Sequence, residues 1–580
     1  LKVFDVVIVG GGPASSTCGS YLRKLDPSLN VGIFERETFP REHVGESQLP
    51  ILSGILHEIG AWDKVEAAGF PIKIGGTYRW GKSDDLWDFH FLPRGEFHEE
   101  PRPAKYTGQR IETAFQVDRS IYDKILLDHA RDLGCSVYEG SAIKKVVVEE
   151  DKIIHLEVSS GEVVTARHYI DASGHSGVIR RALGVGIEEP SQLRNIAAWD
   201  YWQDAEWAVT LGNGGTRIQV MSLGYGWIWF IPIGPTRTSI GFVCPADYYK
   251  ASGLSFEDLY LKAIQEEPRI RALVQNATRE GNFQSTKDWS FVAQRMTGMN
   301  WMLIGEAAGF ADPILSAGLS LAQMSAKEAA FTILELNRGG DAGWLKEAYD
   351  SSNRRKILQH IRFADYWYSA NAHFSDLKEY TREIARDAGL ELNAEQAFQW
   401  LGTGGFIEED MQKAGLATLG ISALHQVMDR FSEGKVVSQV DGLDALKLNL
   451  AGAERIDSPR YVDGRVQRVP TFYRDGKRIP MQGMFAFLVE AFGGTERIDV
   501  ALTFVARKLR TLGGAYNQQV HFELIQAMEA MVRDGWLLPS HVPGANPISV
   551  NLLNADFIDT NHDEDLPDGQ VSKSLINAAS

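Results

Sequence analysis

The chain reads as an α/β protein: a dinucleotide-binding unit interleaved with a mixed-sheet layer, followed by a mostly helical C-terminal extension. Three observations predict this. The N-terminus runs strand, glycine turn, helix, strand, acidic residue, the order of a nucleotide-binding βαβ unit. A second apolar strand ending in glycine occurs at 301–309. Between them, 86–115 and 185–245 carry short alternating stretches, such as Val209 to Val220 and Thr238 to Val243, the pattern of half-buried strands. Nucleotide-type motifs therefore stand at both ends of 1–350, and the two layers are expected to interleave. The expected divisions are a core at 1–350, an extension at 351–558 and a flexible polar tail at 559–580.

Composition bounds the function classes. The chain has 580 residues, 44% hydrophobic and 23% charged, with a net charge of −17. That suits a globular protein with a full core and disfavours non-specific binding to nucleic acid or anionic membrane. Cys18, Cys135 and Cys244 lie more than 100 residues apart, so neither a disulfide framework nor a zinc site is expected. No run of 18 apolar residues occurs, so no transmembrane helix is expected. The first strand begins almost at residue 1, leaving no room for a signal peptide, and a reducing cytoplasm is the expected location.

The elements follow in order. Val6 to Val9 form a β-branched apolar run that reads as a buried parallel strand. It ends in Gly10-x-Gly12-x-x-Ser15, with Pro13 and Ala14 opening a helix through Leu22 and Leu25. Val31, Ile33 and Phe34 make the next strand, closed by Glu35 and Arg36, and Glu35 follows Gly12 by 23 residues. In such units the glycines admit a pyrophosphate at the helix N-terminus and the acid holds a ribose hydroxyl. Ser15 replaces the third glycine, and serine is small enough to preserve close helix–strand packing. Farther on, Lys73 lies among Ile72, Ile74, Gly75 and Gly76. A lysine in such surroundings is unfavourable unless solvated, paired or functional. Residues 227–232 read Trp-Ile-Trp-Phe-Ile-Pro, a strand apolar on both faces that belongs in an interior. Ser316, Ala317 and Gly318 are small residues at a helix start, where exposed N–H groups make a sensible anion site.

Several of these segments together resemble a known family. Gly305-Glu306 and the following Asp312-Pro313 resemble the second flavin motif of the aromatic-hydroxylase type of flavoprotein, with glutamate in place of the usual aspartate. Asp171-Ala172-Ser173-Gly174 resembles its middle element. Gln116-Val117-Asp118-Arg119 resembles its arginine-bearing helix start. Trp227-x-Trp229-x-Ile231-Pro232 matches the WxWxIP signature of flavin-dependent halogenases, Lys73 sits where that family has its lysine, and Gly45-Glu46-Ser47 resembles its loop over the flavin.

The resemblance implies an FADH2-dependent halogenase. Reduced FAD, O2 and chloride or bromide yield hypohalous acid, which travels to Lys73 and is held there as a hydrogen-bonded acid or a haloamine. An electron-rich ring then takes the halogen. It also implies that Ser316, Ala317 and Gly318 help hold the halide, that Trp227 and Trp229 separate flavin from substrate, and that a separate NAD(P)H flavin reductase supplies the cofactor. Family members acting on free tryptophan carry a glutamate before the serine; this chain has Leu315. That points to a phenolic or pyrrolic substrate, free or presented on a carrier protein. Two alternatives share the fold. A single-component aromatic monooxygenase would need neither Lys73 nor the tryptophan pair and would take hydride from NADPH directly. A non-catalytic flavin-fold scaffold would bind FAD without turning over halide.

Residues 319–350 read as helical, with an apolar face. In the extension, Phe363 to Tyr368 is an aromatic stretch expected to face inward from a helix. Residues 383–450 read as helical, broken at Gly402, Gly404 and Gly405. Asp463-Gly464 and Asp475-Gly476 signal hairpins. Residues 491–532 read as helical and lead into a turn and short strand at 534–539. That order is like a winged helix, but without a basic helix face for DNA.

Overall fold

A computed structural model describes residues 1–81, 85–92, 97–208, 214–377, 383–384, 438–514, 516–550 and 558–559. The glycine breaks near 402–405, the start of the expected strand at 209–213 and nearly all of the tail lie outside the described residues. The chain forms two compact units: 1–389 with 461–466 and 557–580, and 390–460 with 467–556. The expected boundary at 350 falls inside the helix Ala342–Ser369.

Two sheets organise the first unit. The nucleotide-type sheet is centred on Lys2–Val9, which pairs in parallel with Val31–Phe34 on one side and Val163–Asp171 on the other. Trp301–Leu303 joins Val163–Asp171, also in parallel. Strands from four separated parts of the chain therefore end together, and Gly10, Ala172 and Gly305 emerge at one edge. This is the crevice position at which such sheets bind ligands.

The larger, ten-stranded sheet carries the candidate chemistry. Gly226–Pro232 lies antiparallel between Gly215–Leu223 and Arg237–Pro245. Gly215–Leu223 runs parallel to Ile72–Arg79, with Thr216 opposite Lys73. Side chains alternate across a strand. Ile228, Phe230, Ile240 and Phe242 accordingly pack on Leu259, Ala263, Ile264 and Ile270 of a helical layer, which leaves Trp227, Trp229 and Ile231 for the opposite face. All seven residues of the tryptophan strand are buried, so its two-sided apolar character reflects a sheet covered on both faces.

The stretch read as helical at 319–350 is carried by two helices, Gly318–Asn337 and Ala342–Ser369. Gly339 adopts φ +83°, and the Asp341 carboxylate accepts the Trp344 N–H to cap the second helix. A left-handed glycine and a fresh cap end one helix and start another. Among the described residues no helix is long and apolar enough to cross a membrane.

The second unit combines the helices Gly483–Gly494, Ile498–Thr511 and Gln518–Arg533 with the antiparallel pair Ala445–Leu448 and Leu537–Ser540. Leu446, Leu488, Phe492, Val505, Leu524, Met528 and Trp536 form its core. Both predicted hairpin turns are present, Asp463-Gly464 in the first unit and Asp475-Gly476 in the second, each with positive φ, as tight hairpin turns require.

Candidate active site

The glycine turn builds a cradle. Gly10 adopts φ +110°, and a Cβ there would stand 2.3 Å from the Ala172 carbonyl oxygen. Gly12 caps the helix Pro13–Leu25 with no side-chain bond to the first-turn amides, leaving an anion site open. Pro13 supplies no N–H where none would be paired. Ser15 is fully buried and its hydroxyl has no hydrogen-bond partner, so it packs as a small residue. Glu35 accepts the N–H of Gly11 at 2.5 Å and of Glu37 at 2.8 Å; here it ties the turn to the second strand. Arg36 is exposed and pairs with Glu37 at 3.2 Å. Sequence reasoning missed Arg41, whose Nη2 lies 3.5 Å from where a Gly12 Cβ would be and whose Nη1 lies 3.4 Å from Asp123. A guanidinium at an uncapped helix start suits a phosphate, but no local motif marks it.

The loop around Gly45 is clamped from two sides. Arg119 forks onto Asp123 at 2.6 and 2.9 Å and donates to the carbonyls of Val44 and Gly45 at 2.8 and 3.1 Å. Glu46 is buried, accepts the Tyr201 hydroxyl at 3.1 Å, and is pushed up to about 7 by burial. Beyond it, Arg237 stacks 3.9 Å over the Tyr201 ring and pairs with Asp118 and Glu280. Gln116, bridged through its backbone to Ser47, is fully buried with neither carboxamide atom hydrogen-bonded. An orphaned buried amide costs free energy unless a ligand satisfies it. Glu306 lies on the turn Gly305–Ala307, its Oε2 3.8 Å from where a Gly174 Cβ would be. A Cβ on Gly305 would stand 3.2 Å from the Ala14 side chain, so the two flavin-type motifs converge. The glycine cradle, Arg41 and the unpaired Gln116 fit a dinucleotide such as FAD.

Lys73 is 3% exposed. Its Nζ donates to Ser316 Oγ at 3.5 Å and lies 5.3 Å from the centre of the Phe91 ring. Burial alone lowers it to about 7, because the charged form is denied water. Ser316 in turn donates to Ser47 Oγ at 3.1 Å. Three segments named separately from the sequence thus meet through Lys73, Ser316 and Ser47. Ser316 itself sits at φ +56°, an unusual conformation for a non-glycine residue. The helix that follows has Ala317 as its N-cap, without a side-chain bond to its first amides, and a Gly318 Cβ would meet nothing closer than 3.9 Å. Asp312, buried and raised to about 7 by that burial, caps the preceding turn by accepting the Ile314 N–H at 2.9 Å. Pro313 and Leu315 bound that turn.

The tryptophans form a wall. Trp227 and Trp229 have ring centres 6.0 Å apart. The Trp227 indole donates to the Tyr368 hydroxyl at 2.7 Å and Trp229 donates to Ser239 at 3.1 Å. Gly241 faces Trp229 across the strands, and any Cβ there would lie 2.0 Å from the indole. Ile231 and Pro232 are buried as the strand continues. Sequence reasoning missed Trp80, edge-on to Trp227 at 6.4 Å and to Tyr368 at 5.7 Å. It stands one residue past the end of the lysine strand Ile72–Arg79, and that nearness was its only signal.

A family model described as tryptophan halogenase matches residues 5–106 and 93–380. The chain is 31% identical to the 1H-pyrrole-2-carbonyl-(peptidyl-carrier protein) chlorinase of Pseudomonas fluorescens, over 64% of this chain and 85% of that protein. It is 28% identical to tryptophan 2-halogenase of Chondromyces crocatus, over 73% of this chain and 80% of that protein. The crystal structure of CmlS, a flavin-dependent halogenase, matches with a TM-score of 0.71 at 23% identity, covering 96% of this chain and 99% of that one; that likeness is one of fold.

Proposed function

Because this chain belongs to the tryptophan halogenase family and is a flavin-dependent halogenase, we propose that it halogenates an electron-rich phenolic or pyrrolic ring through Lys73. The observation that carries the proposal is the buried amine beside Ser316. When bound, reduced FAD would supply the electrons with which O2 turns chloride or bromide into hypohalous acid. Gly10, Gly12, Pro13, Ala14, Ser15, Glu35, Arg41, Arg119 and Gln116 would hold the nucleotide, with Gly305 and Glu306 on its other side. The uncapped amides at Ala317 and Gly318 would hold the halide, since a helix start favours an anion. Lys73, half neutral near pH 7, carries a lone pair. It attacks the halogen of hypohalous acid; an N–halogen bond forms, and hydroxide leaves with the amine proton as water. The aromatic carbon then takes the halogen, and the ring proton returns to the nitrogen. Trp227, Trp229 and Trp80 exclude water and keep the ring from the flavin.

The substrate reading rests on Leu315 at the position where tryptophan-specific members carry a glutamate, and on the likeness to a relative named for a pyrrolyl carrier-protein substrate. We extend it to carrier presentation, with reduced flavin supplied by a separate NAD(P)H reductase. The test incubates phenols, pyrroles, pyrrolyl carrier protein and tryptophan with enzyme, FAD, reductase, NADH and bromide or chloride. Products are read by mass spectrometry. A halogen isotope pattern on the phenol, the pyrrole or the carrier-bound ring, lost in Lys73→Ala while released hypohalous acid still oxidises a dye, supports the proposal. Halogenated tryptophan alone overturns the substrate class, and oxygenated products without halogen overturn the reaction.

A further inference from the structure

We propose that Tyr368 is a positioning residue that registers the halide-side loop on the tryptophan wall and so sets the preference between chloride and bromide. The inference rests on the reading that the amides of Ala317 and Gly318 hold the halide.

The argument begins with one chain of hydrogen bonds. The Trp227 indole nitrogen donates to the Tyr368 oxygen at 2.7 Å. The Tyr368 hydroxyl donates to Asp312 Oδ1 at 3.2 Å. The same carboxylate oxygen accepts the Ile314 N–H at 2.9 Å, inside the turn that ends at Ser316. The Ser316 N–H closes that turn on the Pro313 carbonyl at 2.9 Å. Donor inventory fixes the direction: an indole N–H can only donate, so the one phenolic proton is left for the carboxyl group. Both donors converge on Oδ1, and Asn195 reaches Oδ2 at 3.5 Å, so the link persists whether or not Asp312 carries a proton on Oδ2. Trp227, Asp312 and Tyr368 are all buried, where a lost hydrogen bond leaves its partner unsatisfied.

Tyr368 is also placed to act through geometry alone. It lies in the last turn of the 28-residue helix Ala342–Ser369, which carries it to the sheet. Its ring is held edge-on by Trp80, with Phe374 at 6.0 Å. The hydroxyl is therefore a fixed point between the wall and the loop. Chloride is smaller and more strongly hydrated than bromide, so it gives up more when the amides around it loosen.

The test is Tyr368→Phe, which keeps the ring and deletes both bonds. Steady-state turnover with a phenol is measured against chloride and against bromide. Halide binding is measured separately by quenching of tryptophan fluorescence. The expected result is a chloride KM raised about tenfold, which corresponds to about 1.4 kcal/mol. Bromide KM rises about threefold and kcat with bromide stays within about twofold. Trp227→Phe removes the other end of the same link and is expected to shift chloride KM the same way. The double variant is expected to be no worse than the worse single one, because a shared link is lost only once. Unchanged chloride and bromide KM in either folded single variant overturns the positioning role. So do equal shifts for both halides, or additive effects in the double variant. Lys73→Ala, run in parallel, separates this from the parent reading: loss of product with halide binding intact supports the amine role whatever Tyr368 does. If wild-type protein consumes no halide at all, both readings fall together.

Discussion

Replacing Lys73 by methionine tests the site where its chemistry and its stability oppose each other. A solvated lysine titrates near 10.5, and burial brings Lys73 to about 7. Each pH unit of difference is worth about 1.4 kcal/mol, so enclosing the ammonium costs the fold on the order of 5 kcal/mol at pH 6. The sign follows from linkage. Below 7 both folded and unfolded states hold the proton and the whole cost is felt. Between 7 and 10.5 the folded state is neutral while the unfolded state is charged, and the cost shrinks with rising pH. At pH 9 about 2 kcal/mol remains. Methionine has similar length, no charge and a liking for apolar surroundings. Lys73→Met is therefore expected to make no halogenated product and yet to be the more stable protein, with an advantage about 3 kcal/mol larger at pH 6 than at pH 9. Urea unfolding of both proteins at the two pH values, followed by tryptophan fluorescence, measures this. An advantage equal at both values would mean that Lys73 titrates as a solvated lysine, and the argument for a reactive free amine at neutral pH would collapse. The same titration should appear in catalysis: halogen transfer per hypohalous acid formed is expected to rise through pH 7.

Two further outcomes follow from backbone contacts. Gly10→Ala puts a Cβ 2.3 Å from the Ala172 carbonyl oxygen at φ +110°, so the cradle must open; FAD affinity, read from flavin fluorescence, is expected to fall more than tenfold. Gly241→Ala drives a methyl into the Trp229 indole at 2.0 Å. It is expected to cost about 1–3 kcal/mol as overpacking and to lower halogenation through the displaced ring, with thermal melting and product yield as the two measurements.

What was legible in the sequence was legible for local reasons. The strand, turn and helix at 2–25 write their conformation in adjacent residues: β-branched run, glycines, proline. Lys73, Trp227, Trp229 and Ser316 were visible because each is chemically odd or tightly patterned where it stands. Their meeting was not visible, because it depends on parallel pairing of Ile72–Arg79 with a strand about 140 residues later and on a turn 243 residues away. Tyr368 read only as one aromatic among several on an inward helix; its hydroxyl gains meaning from Trp227 and Asp312, which no spacing links to it. Arg41 carries no local signal, since its position derives from the cradle it faces.

The braces around the Lys73 amine show how the structure holds a buried lysine among apolar residues. The three segments that meet there are each secured by different partners. The Gly45 loop is tied by Arg119 and by Glu46 to Tyr201. The lysine strand is paired on both edges, to Gly215–Leu223 and to Ala114–Phe115. The Ser316 turn is capped by Asp312 and held through Tyr368. None of these braces uses the Lys73 ammonium as a donor to a carboxylate; burial alone lowers its pKa. A salt bridge would have raised the pKa of the amine and cost it the free lone pair. Holding the neighbourhood by other contacts leaves burial unopposed in lowering the amine to about 7. Under the proposed reading, an uncharged amine is what takes the halogen and passes it on.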